Sequence, residues 1–167
     1  QNTYLKRLSF THFTTSSHVD DSIWNVDNVA ISPDGNTIFQ MGTERAMRFI
    51  YKVDLNGNLI FPRIQSGFFA NGYNYHAQAL HATADNGIVY AQIYEYYTSS
   101  TAYTSITKFD STGNAEWAVA LPDETPSQGY SYQITSDITE MSNGNYACLS
   151  LDSIYLIDEL GNRIGNY

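Results

Sequence analysis

The sequence is poor in cysteine and contains no long apolar run. Its one cysteine, Cys148, lies in the apolar stretch 146–149 and has no second thiol with which to form a disulfide within the chain. We therefore expect a buried, inert thiol, and the cysteine content does not indicate a compartment. No apolar run approaches the roughly 18 residues that a membrane-spanning helix needs, so we expect no membrane insertion.

Positive charge is also scarce. Eight Lys and Arg residues are scattered among 17 Asp and Glu residues, which gives a net charge of −9 and a pI near 4.6. Proteins that bind nucleic acid cluster their basic residues, because these neutralise phosphates. We therefore expect no nucleic-acid partner, and the acidic surface would also repel anionic lipid headgroups.

Strand-forming residues, in contrast, are abundant. The 167 residues include 14 Tyr and 8 Phe, and 43% are hydrophobic whereas only 15% are charged. Aromatic and β-branched side chains pack well on the pleated surface of a sheet. A chain this apolar is also expected to fold rather than to remain disordered. The composition therefore predicts a single all-β domain.

Two turn signals recur three times along the chain. The first signal, at 33–36, 84–87 and 142–145, combines Asn or Asp with Gly, and the second, at 54–58, 110–114 and 158–162, reads Asp-x-x-Gly-Asn. Gly and Asn tolerate the positive φ that tight hairpin turns need. Successive copies lie about 48 to 58 residues apart, and this is the period of propeller blades.

These signals divide the chain into three units of four strands. We predict strands at 28–32, 37–43, 48–54 and 59–64, then at 76–83, 87–97, 103–110 and 115–121, and finally at 132–141, 146–151, 153–158 and 163–167. A further strand is predicted near 4–10, within an N-terminal strand and loop covering 1–27. The predicted fold is a β-propeller-like array of three four-stranded antiparallel blades, at 28–64, 76–121 and 132–167, plus an N-terminal outer strand.

The second unit carries the most specific pattern. Residues 106–118 read Ile-Thr-Lys-Phe-Asp-Ser-Thr-Gly-Asn-Ala-Glu-Trp-Ala and follow the hairpin Asp-Asn-Gly-Ile-Val-Tyr-Ala at 85–91. This pattern resembles the tandem propeller-type repeats of secreted bacterial surface proteins, and it is similar to repeats of the pyrroloquinoline-quinone-like superfamily. The resemblance implies an extracellular or cell-surface protein whose signal peptide has been removed. The first and third units lack the Trp and have Phe61 and Ile164 near its place.

Three blades pose a geometric problem. Propellers usually close with four to eight blades, and each repeat unit needs a neighbour on both of its faces. We therefore expect the chain to assemble with itself or with adjacent blades of a larger propeller. The predicted function is a non-enzymatic extracellular structural and interaction module.

No residue pattern indicates a catalytic, cofactor or metal site. The turn at 54–58 resembles a calcium loop, but Gln65 stands where the twelfth, acidic ligand would be needed. His76 and His81 would point to opposite faces of a strand and could not share one metal ion. A quinone cofactor requires a complete propeller with a central site, so the resemblance does not carry a cofactor over to this chain.

The sequence offers one candidate interaction surface, and this surface is aromatic. Tyrosine and phenylalanine rings pack between blades, anchor protein interfaces or stack on sugars. The candidate interface or ligand surface consists of seven residues around the second unit: Phe68, Phe69, Tyr73, Tyr75, Tyr94, Tyr96 and Tyr97. Two alternatives to the interaction module therefore stay open. One is a carbohydrate-binding module that uses these loops for glycans, and the other is part of a propeller hydrolase or quinoprotein whose site needs further blades.

Overall fold

The protein is described by a computed structural model over residues 25–44, 47–66, 75–95, 102–121, 135–150 and 153–167. These residues form twelve β-strands and contain no helix, so the all-β prediction is confirmed for this part of the chain. Accordingly, none of the described segments is a helix long and apolar enough to cross a membrane.

The twelve strands form three separate four-stranded sheets. The strands are β1 (Asn25–Ile31), β2 (Thr37–Glu44), β3 (Met47–Asp54), β4 (Leu59–Ser66), β5 (Tyr75–Ala82), β6 (Ile88–Glu95), β7 (Ala102–Phe109), β8 (Ala115–Ala120), β9 (Thr135–Glu140), β10 (Tyr146–Ser150), β11 (Ser153–Ile157) and β12 (Arg163–Asn166). Each sheet contains four consecutive strands that pair antiparallel in chain order. The prediction of three four-stranded antiparallel units is therefore confirmed.

The strand boundaries differ from the sequence prediction mainly at the ends of the units. Strand β1 begins at Asn25, three residues before the predicted position 28, so the predicted loop up to 27 is too long. Strand β9 is described from Thr135, and the predicted strand residues 132–134 lie outside the described residues. The predicted N-terminal strand near 4–10 lies outside the described residues.

The second turn of each unit is built around one aspartate. In the middle unit, the Asp110 carboxylate accepts hydrogen bonds from the backbone N–H groups of Thr112 and Asn114 and from the Thr112 hydroxyl. Gly113 occupies the left-handed region at φ 91°, as the sequence predicted. The first and third units repeat the backbone contacts of this carboxylate through Asp54 and Asp158. The geometry that the three turns share is local, because all hydrogen-bond partners lie within four residues of the aspartate.

The three sheets stack on one another in chain order. Strand β1 contacts β5, and β5 contacts β9, so the first strands of the three sheets lie next to each other. Two apolar cores fill the spaces between the sheets. In each sheet we call the surface turned toward the next sheet the downstream face, and the surface turned toward the preceding sheet the upstream face.

The first core joins the first and middle sheets. Phe39, Met41 and Ile50 form the downstream face of the first sheet and pack against the upstream face of the middle sheet. That upstream face consists of Ala82, Ile88, Tyr90 and Phe109. The Tyr90 and Phe109 rings stack with their centroids 5.8 Å apart.

The second core joins the middle and third sheets. Val89, Ala91 and Ile106 form the downstream face of the middle sheet, on the side opposite to Ile88 and Tyr90. The upstream face of the third sheet consists of Ile138, Tyr146, Cys148, Tyr155 and Ile157. Cys148 is fully buried there. The middle sheet is therefore covered on both faces.

The middle and third units have an isoleucine at the same repeat position, and a comparison of the two residues tests this stacking. Ile106 and Ile154 each lie four residues before the aspartate of the second turn, but Ile106 is fully buried whereas Ile154 is 42% exposed. We expect Ile106→Ala to lower the free energy of unfolding by about 2–5 kcal/mol, because it opens a cavity between two sheets. The matched variant Ile154→Ala should cost less than about 1 kcal/mol. Urea denaturation followed by tryptophan fluorescence measures both, and equal losses would contradict the stacking.

The turn aspartates predict a loss of stability in acid. Hydrogen bonding, chiefly from the Thr112 side chain, holds the pKa of Asp110 below its usual range. The pKa values of the equivalent carboxyls are lowered too, chiefly through the side chains of Asn58 and Asn162. A carboxyl whose pKa is lowered by folding stabilises the folded protein at pH values above the unfolded pKa of about 4. This stabilisation is lost as the pH falls from that value toward the lower pKa of the folded state. The urea concentration at the midpoint of unfolding should therefore decrease when the pH is lowered from 5 to 2.5.

The variant Asp110→Asn isolates the contribution of one carboxylate. It should be less stable than the natural protein at pH 7. The difference should shrink as the pH falls below about 4, because the Asp110 carboxyl then takes up a proton in the unfolded chain while the folded turn still holds it ionised. A difference that stays constant over this pH range would show that the carboxylate charge does not stabilise the turn.

Candidate interaction surface

Equivalent positions in the three units form the downstream faces. Met41 and Ile50 are opposite each other in the first sheet, as are Ala91 and Ile106 in the middle sheet. All four side chains are 0% exposed, because the next sheet covers them. Each downstream face is thus an apolar contact surface whose burial depends on the sheet that follows it.

A buried lysine links the first sheet to the middle sheet. The Lys52 ammonium donates hydrogen bonds to the backbone carbonyls of Asn86 at 2.8 Å and Ser111 at 3.0 Å. These two carbonyls lie in the first and second turns of the middle unit. Burial lowers the pKa of Lys52, and its ammonium also lies 5.1 Å from the centre of the Phe39 ring. One side chain of the first sheet therefore binds both hairpin turns of the next.

An indole ring links the middle sheet to the third sheet. Trp117 Nε1 donates a hydrogen bond of 3.0 Å to the backbone carbonyl of Glu159, which follows the turn aspartate just as Ser111 does in the middle unit. The ring also meets Tyr146 edge-on, with centroids 5.3 Å apart. Gly161 lies under the ring, and a Cβ there would approach Trp117 carbons to 2.8 Å. The turn of the third unit therefore needs glycine both for its backbone, at φ 85°, and for the indole contact.

Two further polar contacts support the middle sheet. The Glu140 carboxylate accepts a hydrogen bond of 2.6 Å from the backbone N–H of Ala84, so the third sheet also binds the first turn of the middle unit. Lys108 occupies the repeat position of Lys52 but bonds within its own unit, to the carboxylates of Asp85 and Glu116 at 2.7 Å each. Lys52, Glu140 and Lys108 therefore each bind a turn of the middle unit.

The third sheet also has an apolar downstream face, and this face is exposed. Leu149 and Ile154, the equivalents of Met41 and Ile50, are cross-strand partners in β10 and β11, and each is 42% exposed. The neighbouring pair is Ala147 and Leu156. Together these four residues form the downstream face of the third sheet, which is apolar and accessible.

This third face also differs in its polar residues. Leu156 stands at the repeat position of Lys52 and Lys108. Gly165 pairs with Leu156 as Trp117 pairs with Lys108, so the indole position is occupied by glycine. The sequence of the third unit thus supplies neither of the side chains that reach the following turns at the two internal junctions.

The upstream face of the first sheet is already buried along its central strands. Ile38, Gln40 and Val53 are at most 5% exposed, although they lie on the side of β2 and β3 opposite to Phe39 and Lys52. Among the described residues, the exposed apolar side chains on this side lie in the two outer strands, namely Val29 and Ile31 in β1 and Leu59, the partner of Val53, in β4. The two ends of the stack are therefore not equivalent.

The aromatic surface predicted from the sequence is only partly described. Tyr75 begins β5, and Tyr94 lies near the end of β6 directly opposite it in the register. The other five residues, Phe68, Phe69, Tyr73, Tyr96 and Tyr97, lie outside the described residues. The proposal that these rings form one surface therefore stays a prediction.

The residues that form the sheet junctions were not predicted from the sequence. Lys108 and Trp117 belong to the repeat motif at 106–118, but no junction role was predicted for them or for Lys52. The signal for the two lysines was their shared position, two residues before the turn aspartate at the end of the third strand of the unit. Among the described residues, no group of three or more His, Cys, Asp or Glu side chains is arranged to hold a metal ion.

Comparisons with known proteins bear only on the fold. No protein family and no curated protein matches the chain. The chain is similar to the crystal structure of a protein of unknown function from Bacteroides caccae, with a TM-score of 0.56 and 14% sequence identity. The similarity covers 86% of this chain and 46% of that structure, so the chain spans less than half of its length.

The indole hydrogen bond predicts a measurable link between the middle and third sheets. We expect Trp117→Phe to lower the free energy of unfolding by about 0.5–1.5 kcal/mol, because an aromatic ring remains but the Glu159 carbonyl loses its donor. Trp117→Ala should cost more, since it also removes the ring from the core. Thermal denaturation followed by circular dichroism compares the two variants. A Trp117→Phe protein as stable as the natural one would show that the hydrogen bond contributes nothing.

Proposed function

We propose that this chain is a non-enzymatic structural and interaction module outside the cell, whose three sheets act as blades of a propeller-like array. Its terminal sheet would bind a further blade, from an adjacent unit or from a second copy. The observation that carries this proposal is the exposed downstream face of the third sheet, at positions that are fully buried in the other two.

The arrangement of strands supports a propeller-like array. Each sheet is a meander in chain order, and its first strand contacts the first strand of the neighbouring sheet. Propeller blades have this order and meet along their inner strands around a central axis. At both junctions, the downstream face of one sheet contacts the upstream face of the next sheet. Repeat proteins are built in this way, because each unit contacts only its neighbours.

The chemistry of the described polar groups supports a structural role. The carboxylates of the second turns accept hydrogen bonds from their own turns, and Lys52 and Trp117 bind carbonyls of the next unit. Groups engaged in this way stabilise turns and fix the order of the sheets. The extracellular location rests on the resemblance of 106–118 to repeats of secreted bacterial surface proteins.

Site-specific photo-cross-linking in the producing cells tests this proposal. A photoreactive side chain is introduced at Leu149, and the cross-linked peptides are identified by mass spectrometry. We expect them to come from a unit that carries the Asp-x-x-Gly-Asn turn, because the exposed face has the pattern of a blade junction. The same group at Leu160, which is 72% exposed in the second turn of the third unit, provides the matched control.

Several outcomes would contradict the proposal. Cross-links that are equally frequent from both positions would mean that the face has no specific occupant. Cross-links only to proteins without the repeat would exclude blade assembly. Protease added to intact cells should remove the cross-linked species, and its full protection until lysis would contradict the extracellular location.

A further inference from the structure

We propose that the first turn of the middle unit, residues 83–87, couples the two sheet junctions, so that loss of the bond to this turn at one junction weakens the bond to it at the other. The inference goes beyond the proposed function, because it concerns how the stack of sheets moves and needs no partner. It follows from the hydrogen bonds that all three sheets make to this one turn.

Both neighbouring sheets bind this turn. The Lys52 ammonium of the first sheet donates a hydrogen bond of 2.8 Å to the Asn86 carbonyl. The Ala84 N–H donates a hydrogen bond of 2.6 Å to the Glu140 carboxylate of the third sheet. The two bonded backbone groups belong to three consecutive residues, so a displacement of the turn changes both bonds at once.

Hydrogen bonds within the turn hold it together. The Asn86 N–H donates to the Thr83 carbonyl at 2.9 Å, and the Gly87 N–H donates to the Asp85 carboxylate at 2.9 Å. The hydroxyl of Thr83, a fully buried residue, donates to the same carboxylate. Connected hydrogen bonds of this kind act as a unit. A shift that begins at Asn86 is therefore passed on to Ala84.

The middle sheet limits how the turn can move. Lys108 Nζ lies 2.7 Å from the Asp85 carboxylate, which ties the turn to strand β7. A Cβ on Gly87 would lie only 2.3 Å from the carbonyl oxygen of Phe109, the last residue of that strand. The backbone of the turn thus lies directly against β7 and cannot absorb a displacement by moving closer to it.

The first turns of the other two units are held differently. In the first unit, the Asp34 carboxylate accepts hydrogen bonds from residues of its own turn. In the third unit, Asn143 stands at the position of Asp85. Leu156 likewise replaces Lys108 there, so that turn lacks the ion pair. The turn at 83–87 is therefore the point at which the two junctions meet.

The natural cysteine reports on the second junction. Cys148 is fully buried in the core between the middle and third sheets, so the rate at which its thiol is alkylated follows the opening of that core. Lys52→Met removes the bond at the first junction and keeps an apolar side chain. Glu140→Ala removes the bond at the second junction. The natural protein, the two single variants and the double variant form a cycle, and mass spectrometry measures the alkylation rate of each.

We expect Lys52→Met to raise the alkylation rate of Cys148 by about threefold or more when Glu140 is present. In the Glu140→Ala background the same substitution should have little effect, because the bond that it would weaken is already absent. Met41→Ala is the matched control, since it weakens the first core and leaves the bonds of the turn in place. Its effect on the rate should be the same in both backgrounds.

Equal effects of Lys52→Met in both backgrounds would overturn the inference. So would a dependence on Trp117→Phe in place of Glu140→Ala, because the coupling would then run through the second turn, where Lys52 binds the Ser111 carbonyl. Lys52→Gln, which is shorter and uncharged, completes the cycle if the methionine variant does not fold, and circular dichroism identifies the folded variants. Neither result changes the proposed function, which depends on the exposed face of the third sheet.

Discussion

Each of the three described sheets has an apolar face that is covered by a neighbouring sheet. The middle sheet shows this most clearly, because Ile88 on one side and Ile106 on the other are both fully buried. A single four-stranded sheet cannot bury two faces by itself, so the stability of each unit depends on its neighbours. The same requirement makes the exposed downstream face of the third sheet the surface on which the proposed function depends.

Polar contacts fix the arrangement that the apolar faces allow. Apolar surfaces are not directional, and two flat sheets can slide or rotate against each other at little cost. Lys52 binds carbonyls in two different turns of the middle unit, and Trp117 binds one in the third unit. Together with the hydrogen bond from the Ala84 N–H to the Glu140 carboxylate, these contacts fix the alignment of neighbouring sheets, whereas burial supplies most of the stabilisation.

Local features of the fold could be read from the sequence, but the contacts between sheets could not. The hairpins were predictable because Gly113 and its equivalents need a left-handed backbone, and an aspartate three residues earlier binds the turn. The positions of these turns also define the strands between them and the antiparallel pairing of consecutive strands. Ile106 and Ile154 have the same residue type and the same repeat position, yet one is buried and one exposed. That difference depends on whether another sheet follows, and no local pattern encodes it.

The glycine beneath the indole ring makes the units non-interchangeable. Gly161 leaves space for Trp117, whereas the corresponding turn of the middle unit receives the slender amine of Lys52. Exchanging the middle and third units would leave the lysine beside a turn shaped for a bulky ring, and would separate the tryptophan from that turn. The three units therefore share one strand pattern but are specific to their positions, and the junctions that they form fix their order along the chain.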